Sequence, residues 1–139
     1  MLEKKIKYTD YNGNQREESF YFNISKAEMM RMQMGHTGGY DEYLKRIVDG
    51  KDSVSIYKAF EDIIKLSYGV KTEDGRSFVK TEEATNLFLQ SEAYSELIME
   101  FFTNVQTAID FVKNVMPKEA VEAAEKDKSF EDIVKHNAA

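Results

Sequence analysis

Cysteine is absent from the 139-residue chain, which excludes disulfides, thiolate catalysis and cysteine-ligated zinc. Histidine occurs only as His36 and His136, too few for a histidine-rich metal site. No apolar run approaches the roughly 20 residues that a membrane-spanning helix needs. The opening MLEKKIKYTD also lacks the apolar centre of a secretory signal, so a soluble protein of the cytosol is expected. Basic residues are missing between Lys80 and Lys113, where Glu82, Glu83, Glu92, Glu96, Glu100 and Asp110 are all acidic.

What is present is a globular mixture, 42% hydrophobic and 32% charged, rather than a disordered composition. The net charge of −6 repels nucleic acid and anionic membrane. Lys4, Lys5 and Lys7 are the one visible basic cluster and read as a solvated strand edge. A chain of this length can bury roughly two thirds of its unfolded surface. One domain over 1–117 is expected, followed by a helix-prone, weakly apolar and mobile tail over 118–139. Internal repeats and Pro- or Ser-rich linkers are not seen.

Residues 4–24 read as a β-hairpin around Asn12-Gly13-Asn14. Ile6 and Tyr8 share one face, as do Phe20, Phe22 and Ile24. Opposed residues lie on the same side of an antiparallel pair, so even positions must meet even positions. A two-residue Asn12-Gly13 loop would set Ile6 against Ser19. A three-residue loop, Asn12 to Asn14, sets Ile6 against Phe20 and Asp10 against Arg16, with Gly13 or Asn14 left-handed, and is preferred.

Ser25 and Glu28 in SKAE form a capping box for a first helix ending near Met34, before Gly35 and a flexible Gly38-Gly39 break. YDEYLKRIVDG is a short helix stopped by Gly50. Ser53 is the expected cap of the next, with apolar stripes Ile56, Phe60, Ile63 and Tyr57, Ile64, Tyr68, and Gly69 as its stop. A polar loop with a turn at Asp74-Gly75, open to being a small second hairpin, leads to helices opened by Thr81 and Ser91. Ala93, Tyr94, Leu97, Ile98, Phe101 and Phe102 share one helical face, and Leu97, Ile98 and Phe101 are expected in the core. Thr103 marks a possible break, after which Val105, Ala108, Ile109, Val112, Val115 and Met116 continue to Pro117. The expected fold class is α+β and mainly α-helical, an N-terminal β-hairpin packed on a bundle of four to six helices.

No catalytic constellation emerges. Glu92, Glu96 and Glu100 recur every four residues, a spacing that places them opposite the apolar stripe, in water. His36 lies in the GHTGG break and His136 near the C-terminus. Neither supplies the inward Glu-x-x-His motif of a di-metal bundle, and Gly38-Gly39 fits no phosphate-binding pattern. No metal and no cofactor is expected.

Two features remain as partner-binding candidates. Met29, Met30, Met32 and Met34 spread around most of a helix circumference. They are either flexible gap-fillers of a buried helix or an adaptable surface for apolar segments of a partner. The acidic run with Glu92, Glu96 and Glu100 is either a solubilising face or a means of selecting a basic partner.

The ordered segments KYTDYNGNQREESFYFNISKAEM, GGYDEYLKRIVDGKD and LSYGVKTEDGRSFVKTEEATNLFLQSEAYSELIMEFF together resemble the tail assembly chaperones of long-tailed bacteriophages and prophages. The most specific part comprises Ser67-Tyr68-Gly69, Asp74-Gly75-Arg76, Phe78, Lys80, Phe88 and the run from Ser91 to Leu97. The likeness spans roughly residues 4 to 117. It implies a non-enzymatic protein of the host bacterial cytoplasm that coats the tape measure protein, keeps it soluble, helps recruit the major tail tube protein and is absent from the mature virion. It further implies a possible homo-oligomer and a longer frameshifted form, of which this chain looks like the shorter product. A structural tail component, tube or completion protein, is the rival suggested by the hairpin, although the expected strand content is low for a tube subunit.

Overall fold

The computed structural model describes residues 1–35 and 40–117. His36, the Gly38-Gly39 break and the 118–139 tail lie outside the described residues. The described elements run β1 (Leu2–Thr9), β2 (Gln15–Phe22), α1 (Lys26–Met34), α2 (Tyr40–Asp49), α3 (Ser53–Ser67), β3 (Tyr68–Lys71), β4 (Phe78–Val79), α4 (Glu82–Leu89), α5 (Glu92–Thr103) and α6 (Val105–Val115). The fold is α+β and mainly helical, with an N-terminal hairpin as expected. The strands form one antiparallel sheet in the order β1-β2-β3-β4, so the loop around Asp74-Gly75 does close a second hairpin.

The first hairpin keeps even positions against even ones but in a different register, with Ile6 opposite Glu18 and Lys4 opposite Phe20. Asp10 causes the shift. Its carboxylate accepts the Asn12 and Asn14 amides, each at 2.9 Å, and the Arg16 guanidinium at 2.6 Å. The Asp10 N–H donates to the Asn14 carbonyl at 2.8 Å, which moves the three-residue tip to Tyr11–Gly13. Gly13 takes the left-handed conformation, with φ at 83°. Sliding by two residues leaves Leu2, Ile6, Phe20 and Phe22 on the inner face, because strand periodicity is two.

The helix starts follow local chemistry. Ser25 and Glu28 close the capping box in both directions. Asp52, not Ser53, caps α3, accepting the Val54 amide and the Ser55 hydroxyl. A carboxylate there also favours the positive end of the helix dipole. Thr81 caps α4 through the Ala84 amide at 3.2 Å. Ser91 occupies the cap position of α5 but turns its hydroxyl back to the Phe88 carbonyl. The break between α5 and α6 falls at extended Asn104, one residue beyond Thr103.

Gly69 does not stop α3. The helix ends at Ser67, and Gly69 is a buried strand residue opposite Tyr21. Any Cβ there would lie 2.6 Å from the Phe78 ring, so the glycine lets the β4 aromatic close over the sheet.

The inner sheet face and the helices share one hydrophobic cluster. Leu97, Ile98 and Phe101 are buried in it, as are Ile63 and Ile64 of α3 and Ala108, Val112, Val115 and Met116 at the C-terminal end. Phe22 is fully enclosed, meeting Phe88, Phe111 and Tyr68 at ring separations of 5.7, 5.1 and 5.8 Å. Aromatic edges on aromatic faces add directional attraction to the buried area.

A polar clasp crosses the other side of this junction. The Lys80 ammonium donates to both Glu28 carboxylate oxygens, at 2.7 and 2.8 Å. It also donates to the Asn23 carbonyl at 2.6 Å and the Leu66 carbonyl at 2.7 Å. Burial pushes the Glu28 carboxyl upward, but the Lys80 ammonium and the Ser25 amide and hydroxyl outweigh it and hold the group below its ordinary value. The folded carboxyl therefore binds its proton less readily than the unfolded one. The resulting stabilisation is present above the ordinary glutamate value of 4.5 and is lost as pH falls through the folded value.

Two outcomes follow for stability. Lys80→Met leaves Glu28 and two carbonyls without their shared donor, so urea unfolding near neutral pH is expected to show a loss of about 1–3 kcal/mol, with a shallower acid dependence than the parent. Gly69→Ala is expected to cost about 1–3 kcal/mol through overpacking. In a Phe78→Ala background that cost shrinks, because the atom it meets has gone.

Candidate partner-binding surface

The four methionines of α1 divide. Met32 is buried in the core cluster and Met29 packs against it, whereas Met30 and Met34 are 63% and 73% exposed. Four methionines in six residues ring a helix, so seating one pair on the core turns the other outward. Met30 and Met34 are four residues apart and share one side of the helix.

The three glutamates of α5 follow the hairpin rather than an open solvent face. Glu92 accepts the Tyr11 hydroxyl at 2.9 Å, and Glu100 pairs with Lys4 at 3.0 Å. Glu96 sits between them beside Lys7, Tyr8 and Arg16, where the group lines a shallow polar depression. The rising strand thus meets the descending helix, and glutamates one turn apart register with successive hairpin positions. The Tyr11 phenol is held above its ordinary value by the Glu92 carboxylate. Only Glu96 of the three is exposed; Glu92 and Glu100 are half-buried.

Further exposed apolar groups lie where side chains of α3 meet side chains of α5. Tyr57 stacks on Phe102 at 5.6 Å, and Phe60 meets Phe101 at 6.1 Å. The Tyr57 and Tyr94 hydroxyls are 3.2 Å apart, and the Tyr94 hydroxyl donates to Glu61 at 3.3 Å. Burial, with these two neighbours, pushes the Tyr94 phenol strongly upward, so it remains a neutral donor. Val54, Met99 and Phe102 are 75%, 60% and 45% exposed. Phe102 belongs to the apolar face read from spacing, yet it sits at the rim. Met99 and Leu87 are also exposed. The sequence signal for Met99 was an apolar residue out of phase with the stripe of its own helix.

Among the described residues no three histidine, cysteine, aspartate or glutamate side chains gather as a metal site, and no helix is long and apolar enough to cross a membrane. Every buried side-chain polar atom among them has a partner. What the described surface offers is apolar area and fixed negative charge.

No match was found among curated proteins or among solved structures. A family model described as phage tail assembly chaperone matches residues 1–139. A folded chain with large nonpolar groups left outside and an acidic helical half is consistent with that match, and this chain belongs to the phage tail assembly chaperone family.

Proposed function

We propose that this chain binds the tape measure protein during tail morphogenesis, keeps it soluble and helps recruit the major tail tube protein. It acts without catalysis, in the host bacterial cytoplasm, and leaves before the virion is finished. The observation that carries the reading is the set of large apolar side chains exposed on a chain that already has a filled core. Exposed apolar groups of this kind suit reversible contact with another chain. The acidic stretch from Glu82 to Asp110 keeps the loaded complex dissolved.

Within α1, Met30 and Met34 are the proposed contacts, while Met29 and Met32 seat the helix on the core. Thioether side chains adapt to irregular apolar surfaces, which suits a client presenting many different segments. Of the glutamates, Glu96 is the one free to meet a basic client, because Glu92 and Glu100 already engage Tyr11 and Lys4. Copies of this chain, together with a longer frameshifted form, are proposed to line the tape measure protein.

Co-expression with the tape measure protein tests this. Soluble, co-purifying tape measure protein is the expected result, and its absence with the parent chain sinks the proposal. Met30→Glu/Met34→Glu is expected to weaken capture by about tenfold or more, the equivalent of ~1.4 kcal/mol, without lowering the melting temperature of the chaperone. Mass spectrometry of purified virions separates the rival structural role, which requires abundance in finished particles.

A further inference from the structure

We propose that the stripe Val54–Tyr57–Phe102–Met99, at the seam of α3 and α5, docks an amphipathic helix of the client that carries Lys or Arg beside its apolar face. The inference rests on the chaperone reading and specifies the chemistry of what is bound.

Three observations carry it. The stripe is continuous: Val54 and Tyr57 lie one turn apart on α3, Tyr57 stacks on Phe102, and Met99 lies one turn before Phe102 on α5. Val54 and Met99 are largely exposed and Phe102 is nearly half exposed despite their size.

The second observation is the backbone beneath the stripe. Outside their first and last turns the peptide groups of α3 and α5 are engaged within their own helices, so this surface offers no strand edge to an extended segment. A segment dehydrated against it must satisfy its own peptide groups, which a helix does.

The third observation is charge. On α3 the cations are already matched one turn away, Lys58 with Asp62 and Lys65 with Glu61. On α5 and the helices flanking it in sequence, the stretch from Thr81 to Val112 holds six acidic residues and no basic one. Exposed Glu96 stands one turn before Met99. A second copy of the chain seated here symmetrically would set this acidic stretch against itself, whereas a cationic helix gains from it.

Two synthetic helical peptides of roughly 18 residues, about five turns, test the idea by fluorescence anisotropy. Both carry the same leucine face, one flanked by lysines and the other by glutamates. The lysine peptide is expected to bind at least tenfold more tightly, with the gap closing as salt rises. Met99→Ser/Phe102→Ser is expected to weaken that binding by about tenfold. Because Phe102 stacks on Tyr57, a second variant, Glu96→Lys, lies outside the core and is expected to erase the preference for lysine flanks.

Equal binding of the two peptides, or undiminished binding by both variants, overturns the inference. So does a chaperone oligomer that Phe102→Ser dissociates, since the occupant would then be a second copy. Capture of the tape measure protein keeps the two readings apart. If Met99→Ser/Phe102→Ser retains it as well as the parent does, the stripe is not the site and the chaperone reading stands. If the parent fails to retain it, the chaperone reading itself falls.

Discussion

Four residues, Phe22 to Ser25, hold the fold together. The Phe22 ring fills the centre of the aromatic cluster. The Asn23 N–H donates to the Ser67 carbonyl at 2.7 Å, and its own carbonyl accepts Lys80. The Ile24 N–H donates to the Val115 carbonyl at 2.8 Å, and Ser25 caps α1. One short exit from the sheet thus satisfies backbone groups at the ends of α3 and α6 while starting a further helix. Helix ends carry unpaired peptide groups that are costly to bury, so the chain gathers several where one strand can serve them. Lys80 closes the arrangement from the opposite side, and its charge is neutralised by the same Glu28 that completes the Ser25 cap.

With the interior organised in this way, the rest of the surface is released from structural duty. Phe22, Phe88, Phe101 and Phe111 supply a dense core, so Met30, Met34, Val54, Met99 and Phe102 are not required inside. Their exposure costs solubility, and the acidic excess around α5 opposes that cost. The hairpin takes up Glu92 and Glu100, which ties α5 to β1 and leaves Glu96 as the outward charge beside Met99.

Much of the fold was legible in the residues. The Ser25–Glu28 box and the Thr81 cap depend on contacts within one turn, and each stands where the pattern put it. The apolar face of α5 was equally plain at Leu97, Ile98 and Phe101, because its hydrophobic period matches the helix. Harder positions were those where two local rules compete. Asp52 and Ser53 are both competent caps, and the carboxylate took the role. Gly69 reads as a helix stop, but the approach of Phe78 puts it in a strand. The tip of the first hairpin slid because Asp10 could bind two loop amides at once.

Sequence alone determined the periodicities, the Ser25 and Thr81 caps, the lack of thiol chemistry and the family, since all of these are written in residue type and spacing over a few turns. Tertiary structure decided which pair of methionines faces outward, which glutamates the hairpin takes up and which side of Tyr57 meets Phe102. Those outcomes depend on how elements far apart in the chain are rotated against one another. A helix stripe fixes that it must be buried, but the partner element fixes where its edge falls, and residues at that edge, such as Phe102, can be assigned only once both are in place.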